Sequence, residues 1–203
     1  MAGTAKRYDT TTIRAGSVGD LWTGVAVPAA AGRITLDAAT GTPDSTANPA
    51  AKHLGHTDAG TKITMNMTVT DHFVDEVPYP VISSFDQTTF EITGNFVQVF
   101  DEEMLKALTE NFATYSTTAS SHKQFTIGTP AGLAYRTITL IAPTPMNPSK
   151  YFVAQAYSAM NVAGLDITID RKGRSMTPFT FRAYALTSRA ATDQLGNYWW
   201  QIV

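Results

Sequence analysis

The sequence predicts a mainly β fold with one α-helix packed on a sheet. Threonine is in excess, with about thirty residues in a chain of 203, and threonine suits a half-exposed strand surface. Several segments alternate apolar and polar side chains with the period of two that a strand requires. Only one segment shows convincing helical spacing. Predicted strands therefore outnumber predicted helices.

Charge and composition exclude several classes of function. The chain has 15 basic and 17 acidic side chains and no cysteine. Tight phosphate contact needs clustered Lys and Arg, so a dedicated nucleic-acid binder is disfavoured. Without cysteine there is no disulfide scaffold, thiolate metal site or cysteine nucleophile. No segment has the apolar run of a signal peptide or a membrane helix, so we expect neither, and no membrane insertion.

The N-terminal quarter differs in composition from the rest. Ala38 to Ala51 is rich in Thr, Pro, Ala and Asn and contains almost no bulky apolar residue. We therefore expect residues 1–52 to form an extended arm or long loop outside the folded core. A β domain then spans residues 53–203. Removal of the arm is expected to leave that domain folded.

Two long strands are predicted next. Lys62 to Thr70 alternates strictly, with Ile63, Met65, Met67 and Val69 on one face, which indicates a strand with one buried face. Phe85 to Val99 alternates again. Pro78-Tyr79-Pro80 lies between them and is not compatible with a central strand. The two strands are therefore predicted to pair as a hairpin with a proline-marked connection.

A helix is predicted over Asp101 to Phe112. Asp101 is a good N-cap, and the two glutamates after it place negative charge in the first turn. Leu105, Leu108 and Phe112 repeat at helical spacing and should pack on the sheet. The side chains expected to face outward are Lys106, Glu110 and Asn111.

The C-terminal half is predicted to be β-rich after a Ser/Thr-rich loop at Thr114 to Lys123. Lys172-Gly173 favours a turn between the last two of its strands. The predicted strands are Tyr135 to Ile141, Tyr151 to Ala159, Leu165 to Asp170 and Phe179 to Leu186.

The sequence contains no convincing catalytic or cofactor motif. Phosphate-cradling glycine loops are absent. His53 and His56, followed by Asp58, have the residue types of a metal site but no third ligand at a fixed helical spacing, so we interpret them as loop histidines and expect no metal. Asp166 and Asp170 share a predicted strand face, and we interpret them as exposed acids rather than an acid/base pair. We therefore expect no enzyme activity.

A pattern of motifs begins at Leu54 to Ile63, which reads LGHTDAGTKI. A Leu-Gly-x-Thr-x-x-Gly loop leads into an alternating strand, and an acidic segment with Pro80-Val81 follows. A second alternating strand then ends in an acidic-capped helix. This order of features resembles the tail tube proteins, the major tail proteins of long-tailed bacteriophages. The resemblance covers residues 54–112 in detail and the later strands in outline, and leaves residues 1–52 unmatched.

The resemblance implies a β-sandwich or half-barrel with a flanking helix. About six subunits would form a ring whose inner strands close one β-barrel, and stacked rings would form a DNA conduit in the virion after assembly in the host cytoplasm. The implied partners are copies of this chain and the tape measure, tail terminator and distal tail proteins. DNA would pass without specific binding, and no cofactor is implied.

In such a ring, polar strand faces would line the lumen. Hydroxyl and acidic side chains let DNA slide, because repeated carboxylates repel phosphates. With Arg182 as the single base on these faces, we expect a net negative wall. The candidate lumen residues are Glu91, Asp166, Asp170, Thr64, Thr68, Thr93 and Thr168. The candidate contacts between subunits are Pro78, Tyr79, Pro80, Tyr198, Trp199 and Trp200.

The aromatic C-terminus leaves a second class of function open. Trp199 and Trp200 are residue types that bind sugars, so the alternative is another virion or surface β-sandwich, such as a decoration or carbohydrate-binding module. Adjacent aromatics in a strand point to opposite faces. Packing within the subunit or onto a neighbour is therefore the favoured interpretation of this terminus.

Overall fold

The computed structural model describes residues 19–29, 32–37, 40–74, 77–97, 101–111, 113–119, 122–129, 132–144, 147–167 and 176–201. As predicted, this part of the chain is mainly β, with one α-helix. Within it, no helix has the length and apolar character that a membrane span requires. The strands are β1 (Asp20–Thr23), β2 (Lys52–Val74), β3 (Val77–Phe96), β4 (Ala113–Ala119), β5 (His122–Ile127), β6 (Arg136–Thr144), β7 (Asn147–Asn161), β8 (Thr177–Ala183) and β9 (Gly196–Trp200).

Seven strands form one antiparallel sheet in the order β6-β1-β2-β3-β8-β7-β9. Because β6 also pairs with β7, six of these strands form a closed cycle. The other edge of β7 pairs with β8 near its C-terminal end and with β9 nearer its middle. The single subunit therefore already contains a barrel, whereas the resemblance implied a sandwich or an open half-barrel. Closure satisfies the backbone hydrogen bonds that an open sheet leaves at its edges.

The barrel interior forms the main core. Alternate residues of the strands point inward and are almost completely buried, among them Leu54, Ile92, Phe96, Phe179 and Phe181. The ring centroids of Phe96 and Phe179 lie 4.5 Å apart. Such close-packed aromatic side chains contribute most of the apolar area that holds a small domain together.

Residues 19–29, 32–37 and 40–51 belong to this domain, which differs from the arm that we expected. Strand β1 pairs with β2 on one side and β6 on the other. Val25 and Ile34 then cover Ile141 and Val153 on the outer face of the sheet. The buried Gln155 side chain donates hydrogen bonds to the carbonyls of residues 25 and 26. A few apolar residues thus anchor a segment whose composition resembles a loop, and residues 1–18 lie outside the described part.

Helix α1 spans Glu102–Thr109 and begins as predicted. The Asp101 carboxylate accepts hydrogen bonds from the backbone N–H groups of residues 103 and 104. Leu105 and Leu108 are buried against the barrel core, which confirms the predicted stripe except for Phe112, which lies outside the described residues. Asn111 does not face outward, because its side chain exchanges two hydrogen bonds with the backbone of Ala134. Glu110 and Lys106 form ion pairs with Arg136 and Glu102.

The docked helix gives a stability prediction. Leu108 is 2% exposed, so Leu108→Ala should lower the free energy of unfolding by about 2–5 kcal/mol. Lys106→Ala removes a partly exposed ion pair and should cost less than about 1 kcal/mol. Chemical denaturation of both variants measures the difference. Equal stability of the two would show that the helix is not packed on the barrel as described.

In the C-terminal half, one sequence prediction is wrong and another is not met in its described residues. Thr114 to Lys123 was expected to be a loop, but β4 and β5 pair there as a separate two-stranded sheet. Threonine-rich segments suit strands as well as loops, so composition alone does not separate them. Residues 165–167 form no strand, and β8 pairs with β3 and β7 rather than with that segment. Residues 168–175, with Thr168, Asp170 and the predicted turn, lie outside the described part.

Candidate functional site

A long β-hairpin extends beyond the barrel and is the most unusual surface of the subunit. Beyond the last barrel pairing, residues 65–74 of β2 pair only with residues 77–90 of β3 among the described strands. At a rise of about 3.3 Å per residue, this stretch of β2 reaches about 33 Å. Residues 65–74 and 77–90 are called the projecting hairpin below. Its predicted pairing is confirmed.

One face of the projecting hairpin is apolar and exposed. Met65, Met67, Val69 and Phe85 share this face, because Met65 lies opposite Phe90 and Val69 lies opposite Phe85. They are 54%, 67%, 42% and 60% exposed. The sequence predicted a buried face here, and the subunit buries it only near the barrel, at Phe90 and Ile92. Monomeric proteins rarely leave such a continuous apolar face in water.

The opposite face of the hairpin is polar except at Ile82, which lies opposite His72 and is 65% exposed. Thr68 lies opposite Gln87 on this face, and Thr64 lies opposite Glu91 where the hairpin meets the barrel, as the alternation predicted. On the barrel, the same face continues to β8, where Glu91 lies beside Arg182 and Thr93 beside Thr180. The shared face of the predicted lumen residues on β2 and β3 is therefore present in the subunit.

The polar face carries acids and bases close together. The Nε atom of Arg182 donates a 2.6 Å hydrogen bond to Glu91, and this contact raises the pKa of the guanidinium. Lys62 lies on the same face, opposite Thr93. Asp86 also lies there, at a bulge, and accepts a hydrogen bond from Thr70. Asp58 lies opposite Asn95 and therefore on this face as well. The described part of this surface thus carries three acids and two bases. The expected net negative wall stays a prediction, because Asp170 lies outside the described part.

The edges of the projecting hairpin are open among the described residues. Strand β1 pairs with β2 only up to His56, and β8 pairs with β3 only from Glu91 onward. Pro78 and Pro80 lie within β3 in this unpaired stretch, which corrects the expectation that they form a separate connection. Proline is tolerated there because its missing N–H costs no ladder bond at an edge. Pro80 and Tyr79 are exposed, and Tyr79 is 71% exposed.

The aromatic terminus forms β9 and divides its side chains between two faces, as predicted. Trp199 packs against the outer cluster with Val153 and Ile141. Tyr198 and Trp200 lie on the opposite face, half exposed, with their rings nearly parallel and their centroids 6.4 Å apart. Trp199 therefore packs within the subunit, while Tyr198 and Trp200 remain available for contacts.

The predicted carboxylate pair is not assembled in the described residues. Asp166 is exposed in an irregular segment after β7. Asp170 lies outside the described part. The shared strand face that was expected to bring them together is absent at residues 165–167.

The histidines lie in a strand rather than a loop. His53 and His56 belong to β2, and the Asp20 carboxylate of β1 lies between them. This third group is 36 residues from His56 in the sequence. A pattern of ligands at short, fixed spacing therefore does not include it. No protein-family model matches the sequence, and the comparison with curated proteins gives no match either.

Proposed function

We propose that this protein is a structural virion protein that assembles into stacked hexameric rings and forms the tube of a phage tail. The observation that carries the proposal is the projecting hairpin, whose apolar face has the alternation of a buried surface but is open in the single subunit. A second copy of the chain is the occupant that fits this surface. It would cover the apolar face and pair with the open edges in one contact.

The open edges favour self-assembly over other partners. An exposed, long and partly apolar edge strand is an aggregation hazard unless it is paired. In a closed ring the open edges pair with the next subunit, except at Pro78 and Pro80, which have no N–H to donate. The same repeated contact then yields a continuous inner barrel without any additional protein.

The polar face of the hairpin fits the inside of such a tube. Many of its side chains carry hydroxyl groups, which have no charge. Its bases lie beside acids, and Arg182 donates a hydrogen bond to Glu91. DNA binding needs uncompensated Lys and Arg along the phosphates. A wall with many hydroxyls, and with acids beside its few bases, would let DNA pass without holding it.

Microscopy and sedimentation of variants test the proposal. The purified chain should form rings or tubes whose amount rises with concentration. Met67→Glu combined with Phe85→Glu should leave monomers, because a ring would then bury two carboxylates per subunit. The matched control is Asn66→Glu with Gln87→Glu, which adds the same charge to exposed positions of the polar face and should still assemble.

Two outcomes would contradict the proposal. One is a wild-type chain that sediments as a monomer at all concentrations. The other is equal assembly of the apolar-face double variant and the polar-face control, which would show that the apolar face is not the contact. Circular dichroism of each variant separates loss of assembly from loss of fold.

A carbohydrate-binding module is the second candidate, and one observation favours it. Tyr198 and Trp200 present two nearly parallel exposed rings, and exposed aromatic faces stack on sugars. This candidate requires dispersed monomers with glycan affinity that Trp200→Ala abolishes. Assembly into rings that Trp200→Ala leaves intact, without glycan affinity, would exclude it.

A further inference from the structure

A β-bulge creates a cluster of three metal-binding side chains on the barrel surface. In a regular strand, residues three apart point to opposite faces. Between β1 and β2, Asp20 pairs with His56 and Leu21 with Gly55, but Trp22 pairs with His53, so Leu54 is an extra residue. The extra residue rotates His53 onto the face that carries His56. Bulges commonly re-aim side chains in this way.

Glycine allows the backbone to make this bulge. Gly55 has φ 143°, in a region that side-chain-bearing residues rarely adopt. Leu54 points into the barrel core and is completely buried. The bulge is therefore held from inside the barrel while the two imidazoles lie outside.

The third group is a buried carboxylate. Asp20 is 3% exposed, and burial of a charge is costly unless it is paired. Its Oδ1 atom lies 2.6 Å from His56 Nδ1 and 3.8 Å from His53 Nε2. One ligand atom from each of the three residues lies within 4.8 Å of the others.

The two imidazoles contact neighbouring rings and are also partly exposed to solvent. The His53 and His56 side chains are 32% and 44% exposed. The His53 ring lies between those of Trp22 and His56, with centroid distances of 4.9 Å to each. The donor atoms of a tetrahedral site with bonds of about 2.0–2.1 Å lie about 3.4 Å apart. This separation falls between the 2.6 Å and 3.8 Å distances from Asp20 Oδ1 to the two imidazoles.

We propose that Asp20, His53 and His56 bind a divalent transition cation of the zinc class. Two imidazole nitrogens and one carboxylate oxygen are a donor set that suits Zn²⁺, Co²⁺ and Ni²⁺. Three protein ligands leave a fourth position, which water fills because the site is open to solvent. The cation would replace the direct contact between His56 and Asp20 and would link β1 to β2. The site does not depend on the proposed tube function.

Cobalt titration tests the site, because four-coordinate Co²⁺ has strong visible absorption. The full-length chain, freed of metal with a chelator, should bind one Co²⁺ per subunit and release it to Zn²⁺. His53→Gln and His56→Gln should each weaken Co²⁺ binding by at least about 100-fold. Removal of a group that only supports a metal ligand already weakens binding by about 10- to 100-fold, and these variants remove a ligand itself. The matched control is His72→Gln, since His72 is exposed on the hairpin and bonded to Ser84.

A second measurement covers variants that fail to fold. Zinc X-ray absorption of the wild-type chain should show two imidazoles and oxygen ligands around the metal. The proposal is overturned if the wild-type chain binds no Co²⁺, if His53→Gln and His56→Gln bind as tightly as His72→Gln, or if absorption shows fewer than two imidazoles. Each of these results would mean that Asp20 and His56 form only a hydrogen-bonded pair.

Discussion

A chain that lacks residues 1–52 is expected to lose cooperative folding. The deletion removes β1, which pairs with β2 and β6 and closes the barrel. It also removes Leu21, Val25 and Ile34, which are at most 5% exposed. Burial of such side chains contributes about 2 kcal/mol each, and a domain of this kind has a total stability of only about 5–15 kcal/mol. Without β1, the edges of β2 and β6 that pair with it would be open.

A shorter deletion is the control. A chain that begins at residue 19 keeps every contact described for β1 and for the outer cover, so it should unfold cooperatively. Thermal unfolding followed by circular dichroism compares the two truncations. If the chain that begins at residue 53 unfolds at the same temperature as the one that begins at residue 19, residues 19–52 do not belong to the barrel. The sequence-based expectation of a dispensable arm would then be right.

Phe179→Ala should lower the free energy of unfolding by about 3–5 kcal/mol, the range for removal of a buried aromatic ring. Phe179 is 1% exposed and lies between Phe96 and Phe181, with ring centroids 4.5 and 5.5 Å away. A Cβ atom added at Gly94 would lie 2.9 Å from the Phe179 ring, which shows how closely the backbone approaches it. The cavity left by alanine cannot be filled without movement of two strands. Urea denaturation measures the loss.

Phe85→Ala is the matched control for that experiment. Phe85 also lies in a predicted strand, but it is 60% exposed on the projecting hairpin. Its removal should change monomer stability by no more than about 0.5 kcal/mol. The measurements must be made on monomers, because assembly would add its own stabilisation. A larger loss for Phe85→Ala than for Phe179→Ala would contradict the division between barrel core and hairpin surface.

The two phenylalanines also show the limit of a pattern in sequence. Both stand in predicted strands of alternating character, and the sequence gives no reason to treat them differently. The pairing with β8 buries the end of β3 in the barrel, whereas among the described strands only β2 lies beside its beginning. Burial depends on which distant segments are adjacent, and alternation carries no information about that.

The sequence by itself determined the features that depend on neighbouring residues. Alternation over Lys62 to Thr70 correctly predicted a strand and its two faces, because successive side chains in a strand point to opposite sides. Asp101 correctly predicted the start of the helix, because a cap satisfies N–H groups only two and three residues away. These interactions are local, so short patterns encode them.

Only the tertiary structure decided the features that depend on distant pairing. It placed β1 between β2 and β6, although the segment around it has the composition of a loop. It left Met65, Met67 and Phe85 of the hairpin more than half exposed. The bulge at Leu54 and Gly55 brought His53 and His56 to Asp20. A shift of one residue in register exchanges the two faces of a strand, so these positions follow from the register of long-range pairs and not from local sequence.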